Sequence, residues 1–543
     1  MLDGLMMDFP LTVTEYLERA KAYFADSTIV WRKPDKSLGR ATFAQMSTRA
    51  AQLANALTKL GVKPGDRVAT LCWNHLPHVE AYLGVPAMGA VVHTLNLRLH
   101  PNELGYIANH ADDKVVIVDR CLLPLFAKFK DQIKSLKHVI VVPDTGPATK
   151  EEGLDYEVLL AAESPDFAWP MLDENSAAML CYTSGTTGNP KGVLFSHRST
   201  VLHAMAVCAA DGLGVGEADV ILPVVPMFHA AAWGLVYASV AAGSNLVLPG
   251  PHLDAESLLS LMESEKVTFA GGVPTIWLGI LAVLDKEPKR FDLSSMRQMV
   301  IGGSAAPPSL IEGFQARHGL EVLHAWGMTE TNPLGSVARV KRNLKNAPAA
   351  EQLKKRASQG YAAPFVQTRH VDDAGKKLPW DGKAMGELEV RGPWVARGYF
   401  GGEGKDRFTA DGWFKTGDVV TIDPEGYLQI TDRSKDVIKS GGEWISSVAL
   451  ENALMAHPAV LEAAVFAGRS EKWDERPIAA IVLKNGATAT EAELTRHLEG
   501  QFAKFWLPDA FVFLEQIPRT STGKFLKSAL RESHGELLMP KKA

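Results

Sequence analysis

The chain has 543 residues, and single hydrophobic cores stop growing near roughly 250–300 residues, so two or more domains are expected. Its 46% hydrophobic and 22% charged content is ordinary for a soluble globular protein, and a net charge of −5 without a long basic run gives no electrostatic footprint for nucleic acid. Cys72, Cys121, Cys181 and Cys208 are scattered with no C-x-x-C pair, which disfavours a disulfide framework or a zinc site and suits a reducing cytoplasm.

At the N-terminus, Asp3 and Asp8 and the lack of a basic run before an apolar core do not fit a signal peptide. Thr12 with Glu15 makes a capping-box pattern ahead of an apolar stripe at Val13, Leu17, Ala20 and Phe24, predicting a helix. Thr42 with Gln45 repeats the pattern, and Gly61 after Leu60 marks a stop. The β-branched runs RVATLCW (67–73), VVIVD (115–119) and VIVV (139–142) predict parallel strands covered on both faces. From Val220 to Leu253 there is no Asp, Glu, Lys or Arg, a length that could span a bilayer. Pro223, Pro226, Gly243, Pro249 and Gly250 punctuate it and His229 and Asn245 interrupt it, so it reads as buried strands flanking a buried helix. The same rhythm returns in ILPVVPM, NLVLPG, VTFAGGVP and QMVIGG. The whole predicts two doubly wound α/β layers in tandem.

After about residue 365 the turns DDAGK, GGEGK, ADGW and DPEG alternate with the short strands ELEVRG and YLQITD, predicting a small antiparallel β unit. The polar run TDRSKD (431–436) then separates this unit from a last segment of mixed helix and strand character. The expected organisation is an N-terminal domain over 1–431, a hinge over 432–435 and a small, mobile α+β C-terminal domain over 436–543.

The stretch CYTSGTTGNPKG (181–192) has the composition of an anion-binding loop. Gly185 and Gly188 let the backbone bend and present N–H groups, Thr183, Ser184, Thr186 and Thr187 add hydroxyls, and Lys191 adds a charge. It is not a Walker A loop, which needs G-x-x-x-x-G-K-[ST]; here Pro190 follows Gly185 five residues on, and Gly192 follows Lys191.

TSGTTGNPKG resembles the phosphate loop of the adenylate-forming superfamily, which comprises acyl-CoA synthetases, peptide-synthetase adenylation domains and luciferases. Further motifs of that family follow in order: PMFH (226–229), GGSAAP (302–307), WGMTE (326–330), GELEVRGPWVARGY (386–399), GWFKTGD (412–418), DRSKDVIKSGGEWIS (432–446) and PRTSTGK (518–524). The resemblance covers essentially the whole chain and is closest to bacterial medium- and long-chain fatty acyl-CoA synthetases. It implies an ATP-dependent ligase: a carboxylate attacks the α-phosphate of ATP to give acyl-adenylate and pyrophosphate, and the thiolate of coenzyme A then displaces AMP.

The resemblance also implies site residues. Thr183, Ser184, Gly185, Thr186, Thr187, Gly188 and Lys191 hold the ATP phosphates, and Glu330 with the Thr183 hydroxyl holds Mg²⁺, a hard cation that takes oxygen ligands. Trp326 replaces the more usual tyrosine as the adenine platform, with His324, Ala325, Gly327, Thr329, Ser304, Ala305 and Ala306 around it. Asp418 takes the ribose hydroxyls beside Arg433. Lys524 offsets charge between the carboxylate and the α-phosphate. Asp432 opens the hinge that lets the C-terminal domain present a second face carrying Lys435, Lys439, Gly441 and Trp444, the last standing where many relatives have Asn.

His229 stands where amino-acid-activating relatives carry an aspartate, which disfavours an α-amino acid substrate, and it resembles a gate that swings before thiolysis. Trp233, four residues on, is expected to share a helix face with it and resembles the gate of a fatty-acid tunnel. Ala230, Trp233, Val273, Gly302 and Leu334 are the candidate acyl-pocket residues. The leading reading is a medium- or long-chain fatty acid–CoA ligase. The alternatives are a ligase for a short functionalised or aryl acid, such as 3-methylmercaptopropionate or cinnamate, and a nucleotide-binding relative without catalysis. The resemblance further implies a cytoplasmic homodimer built through the N-terminal domain.

Overall fold

The computed structural model describes residues 2–146, 153–183, 189–433, 436–440, 443–519 and 525–539. Two central sheets carry the N-terminal domain. The first orders its strands Leu154–Asp155, His138–Val142, Asp113–Asp119, Arg67–Leu71, Val91–Thr94, Ala177–Tyr182 and Gly192–Ser196. All neighbours are parallel except the last pair. The second runs Tyr361–Ala362, Leu334–Val337, Val322–Gly327, Gln298–Ile301, Phe269–Gly272, Val220–Pro223, Asn245–Leu248, Thr28–Arg32 and Leu38–Thr42, parallel in the middle and antiparallel at both ends. The runs expected to be strands are strands, buried on both faces by helices as continuous β-branched sequences require.

The two layers are not simply in tandem. Thr28–Arg32 pairs with Asn245–Leu248, so the first strand of the chain belongs to the second sheet and stitches the layers together. Within the charge-free segment, Val220–Pro223 and Asn245–Leu248 flank helix Leu235–Ala242, all buried. Among the described residues no helix is long and apolar enough to cross a membrane.

The helix predicted near Thr12 runs over Val13–Tyr23, but the capping box does not form. The Val13 N–H donates instead to His197 Nδ1 at 3.2 Å, because this helix start is buried against the helix His197–Cys208. The box at Thr42 and Gln45 does form, on the helix Phe43–Lys59.

Beyond the second sheet, Gln367–Val371, Gly386–Arg391, Phe414–Ile422 and Leu428–Arg433 make the expected antiparallel unit. Strand Leu428–Arg433 carries Asp432 and Arg433 at its end. The C-terminal segment folds the long hairpin Val460–Ser470 and Asp474–Leu483 together with Ala510–Phe513, Ile438–Ser440 and Glu443–Ile445. Its own hydrophobic cores form around this sheet, under helices Ser447–Met455, Glu491–Leu498 and Lys527–His534.

Candidate active site

Strand Ala177–Tyr182 ends at the carboxyl edge of the first sheet and Gly192–Ser196 returns antiparallel beside it, so the candidate phosphate loop is their connection. Thr183 N donates to Lys191 O at 3.0 Å and Lys191 N to Thr183 Oγ1 at 3.1 Å, closing the neck of the loop. Ser184, Gly185, Thr186, Thr187 and Gly188 lie outside the described residues. Lys191 Nζ stands 5.9 Å from the centroid of the Tyr399 ring, a cation–π contact. Tyr399 Oη in turn donates to Glu330 Oε1 at 2.6 Å. Glu330 sits in the turn Thr329–Thr331, where both it and Thr329 are buried. The Glu330 carbonyl is anchored by Ala396 N–H at 2.7 Å. Thr183, Lys191, Tyr399 and Glu330 thus form one contiguous set.

The carboxyl end of strand Val322–Gly327 carries His324, Ala325, Trp326 and Gly327. Trp326 Nε1 donates to Asp418 Oδ2 at 2.9 Å. Its ring lies over Gly335, where an added Cβ would come within 2.3 Å of it. Asp418, almost fully buried on strand Phe414–Ile422, is in register with Arg433. Arg433 Nε is 2.7 Å from Asp418 Oδ1, an ion pair without hydrogen-bond geometry. That oxygen has no hydrogen-bond partner among the described residues, so it remains an acceptor for an incoming donor such as a sugar hydroxyl. His324 is buried with Nδ1 3.2 Å from Ala357 O, and burial lowers its pKa, which keeps the ring neutral. Ser304 is exposed and Ala305 half-buried, whereas Ala306 belongs to the same buried cluster as Leu310 and Ile311.

The expectation that His229 and Trp233 share a helix face is not met. Ala230, Ala231, Ala232 and Trp233 all have positive φ, between 43° and 58°, and Gly234 follows at 74°. The segment is a left-handed turn, and each non-glycine residue in it costs about 1–2 kcal/mol. Gly234 is required at its end: its φ favours glycine, and a Cβ there would stand 2.4 Å from the His203 ring. Reversed handedness turns the Trp233 indole onto three glycines at strand ends. Added Cβ atoms at Gly271, Gly302 and Gly303 would meet it at 3.7, 3.2 and 3.7 Å. Val273 borders the same place, its Cγ1 3.2 Å from the Cβ position of Gly303. Leu334 approaches from the other side through its N–H, which donates to His203 Nε2 at 3.1 Å. Ala230 is buried and His229 half-buried.

On the C-terminal side, Asp432 Oδ2 accepts from Ser447 N at 2.8 Å, tying the expected hinge to the first turn of helix Ser447–Met455. Lys439 is exposed and stands opposite Trp444 in the strand register. Lys435, Gly441 and Lys524 lie outside the described residues, as does the Trp444 side chain.

A model of the AMP-binding enzyme family matches residues 17–400, and one of the AMP-binding enzyme C-terminal domain matches residues 449–524. The chain belongs to the AMP-binding enzyme family. It is 49% identical to a long-chain-fatty-acid–CoA ligase of Thermus thermophilus, over 97% of this chain and 96% of that one. It is 45% identical to a 3-methylmercaptopropionyl-CoA ligase of Ruegeria lacuscaerulensis, over 98% and 99% of the two chains. Among solved structures, the anthranilate CoA ligase AuaEII in complex with anthranoyl-AMP superposes with a TM-score of 0.86 at 29% identity, over 97% of this chain and 98% of that one. Within the family the chain is an AMP-forming acyl-CoA ligase.

Two residues of this ligase's site escape a reading of sequence alone. Tyr399 closes the quoted motif GELEVRGPWVARGY, so its signal was present, but only the fold turns its hydroxyl onto Glu330. His203 carries no motif at all. Burial pushes its pKa down to about 3, and the neutral ring accepts the Leu334 N–H while backing Gly234.

Proposed function

We propose that the chain ligates a medium- or long-chain fatty acid to coenzyme A in two steps. The acid's carboxylate oxygen attacks the α-phosphate of ATP and pyrophosphate leaves, giving acyl-adenylate. The thiolate of coenzyme A then attacks the acyl carbonyl, and AMP leaves with the electron pair of the broken C–O bond. The observation that carries the acid class is the slot at Trp233. Its floor is glycine backbone at Gly271, Gly302 and Gly303, and no Asp, Glu, Lys or Arg occurs in residues 220–253 to pair with a charged substituent.

In this reading the loop from Thr183 to Lys191 binds the phosphates, Trp326 stacks on adenine, and Asp418 with Arg433 takes the ribose. Glu330 fits a hard divalent cation, because its carboxylate is buried and oriented by the Tyr399 hydroxyl. Glu330 and Thr183 would hold Mg²⁺, which when bound with ATP neutralises phosphate charge. Lys524 bridges carboxylate and α-phosphate in the first step. For the second step the C-terminal domain turns about Asp432 and presents Lys435, Lys439 and Trp444, while His229 and Trp233 move aside. A homodimer through the N-terminal domain and a cytoplasmic setting complete the proposal. The exposed apolar side chains of Leu5, Met6 and Met7 give the N-terminal segment surface to cover.

A second reading, a short thioether or aryl acid, is favoured by one observation: the Trp233 indole itself fills the glycine-floored slot. Acid-dependent ATP–pyrophosphate exchange without coenzyme A, run over straight-chain, thioether and aryl carboxylates with Lys524→Ala as control, decides between them. Exchange that rises with chain length supports the fatty-acid reading, a peak at a short acid replaces it, and ATP binding with no exchange would leave a nucleotide-binding relative.

A further inference from the structure

Each central sheet reverses its strand order once, and in open α/β sheets ligands bind outside the carboxyl ends of the strands at that reversal. In the second sheet Val220–Pro223 lies between Asn245–Leu248 and Phe269–Gly272, and the crevice beyond it holds His229 and Trp233. In the first sheet the reversal is at Arg67–Leu71, flanked by Val91–Thr94 and Asp113–Asp119. Beyond that crevice lies a separate cavity of about 500 Å³, to which none of the candidate active-site residues contributes.

Trp31 and Trp73 give this cavity aromatic surface, and the Trp31 ring stands where a Cβ on Gly39 would come within 2.2 Å of it, so glycine makes its room. His75 and Asp119 also line it. Their polar atoms are already engaged: His75 Nε2 lies 2.6 Å from Asp119 Oδ1, and Asp119 Oδ2 accepts the Trp73 N–H at 2.9 Å. Cys72 beside them directs its thiol to Ile117 O at 3.5 Å, so all three polar side chains are already hydrogen-bonded.

The charge balance points to a different ligand. Three cations at the cavity have carboxylate partners: Lys33 with Asp144 at 2.8 Å, Arg40 with Glu265 at 2.7 Å and Arg49 with Glu157 at 2.8 Å. Arg32 has none within ion-pair distance among the described residues, although it is only 8% exposed. Its Nη1 donates to the Ser257 carbonyl at 2.5 Å and its buried Nε has no hydrogen-bond partner among the described residues. Burial lowers its pKa, and the more distant carboxylates of Asp254 and Glu265 oppose that shift without cancelling it. A buried cation with no carboxylate in ion-pair contact is costly unless an anion supplies closer compensation.

We propose that this cavity is a second, non-catalytic ligand site for a small carboxylate with an apolar body, the carboxylate on Arg32 and the body against Trp31 and Trp73. The volume suits a molecule of roughly drug size. The proposal stands whether or not the fatty-acid reading of the catalytic site holds.

The test is titration calorimetry on the full chain with its catalytic site saturated by a non-hydrolysable alkyl ester of AMP. Octanoate and indole-3-propionate are the two probes, one aliphatic and one aromatic, and their ratio identifies the kind of body the walls prefer. At least one should bind with one further equivalent. Arg32→Met should weaken that binding by about tenfold or more, as expected for a lost charge-assisted contact. Ala44→Trp, which fills the cavity from helix Phe43–Lys59, should abolish it. Binding of the alkyl adenylate, unchanged in both variants, verifies their folding, and Ala44→Trp decides alone if Arg32→Met does not fold. Absence of binding by both probes, or binding indifferent to both substitutions, overturns the proposal.

Discussion

Trp326 and Asp418, 92 residues apart in sequence, are joined by a single bond: the indole Nε1 donates to Asp418 Oδ2 at 2.9 Å in a buried setting. The ring proposed for adenine and the carboxylate proposed for ribose therefore position each other. Trp326→Phe keeps an aromatic face but removes the donor, leaving a buried carboxylate oxygen without it. A hydrogen bond to a charged group contributes about 1.5–3 kcal/mol, so the KM for ATP should rise by roughly tenfold or more while the acid KM is unchanged. Initial-rate kinetics over both substrates measure this.

Tyr399→Phe should act through Glu330. Loss of the 2.6 Å bond frees the carboxylate to rotate, and the concentration of Mg²⁺ giving half-maximal ATP–pyrophosphate exchange should rise several-fold, with little change in rate at saturating Mg²⁺. Glu330→Gln, which removes the charge of the proposed Mg²⁺ ligand, should instead lower the saturated rate by about 10²-fold or more. A Mg²⁺ titration of both variants separates the two roles.

Gly302→Val places a side chain where a Cβ would already be 3.1 Å from the Ala325 carbonyl and 3.2 Å from the Trp233 indole. The indole must then keep out of, or be pushed from, the slot proposed for the acyl chain. Exchange with octanoate and longer acids should fall by roughly tenfold or more, with acetate and propionate spared, since each methylene of lost fit is worth about 1–3 kcal/mol. A chain-length profile of exchange checks this.

Lys527 is buried beside Glu451, 2.7 Å away, and near Asp432. Burial alone would lower the Lys527 pKa, but the two carboxylates more than offset it and the net direction is up. Burial raises both carboxylates, and Lys527 holds them down. Lys527→Ala should therefore cost about 3–5 kcal/mol at neutral pH by leaving buried charge unpaired. In the variant both carboxylates have folded pKa values further above their unfolded ones, so the native state binds protons more readily. Stability held by such groups is present below the unfolded pKa and lost as pH rises through the folded pKa. The deficit should shrink as pH falls from neutral toward the ordinary carboxylate range, which thermal unfolding of both proteins across that window measures.

By itself, the sequence determined the elements and the family. Buried β-branched runs must form covered strands, and glycine-rich, hydroxyl-rich and lysine-bearing motifs kept their order along the whole chain, which is a property of sequence alone. It also placed the antiparallel unit after residue 365, because turn chemistry is local. Where a signal depended on what lies opposite, sequence fell short. Thr12 has the pattern of a cap, yet the Glu15 N–H bonds the Thr12 carbonyl rather than its side chain, and His197, 185 residues away, accepts the neighbouring Val13 N–H. Residues 230–233 have ordinary right-handed propensity, yet the fold holds them left-handed, because the packing around Gly234 and His203 and the glycine floor under Trp233 outweigh a local cost of about 4–8 kcal/mol over the four residues. The Tyr399–Glu330 bond, the Trp326–Asp418 bond and the buried Arg32 without a carboxylate in ion-pair contact were likewise decided only by tertiary structure. Each depends on distances between segments far apart in the chain, which no local pattern encodes.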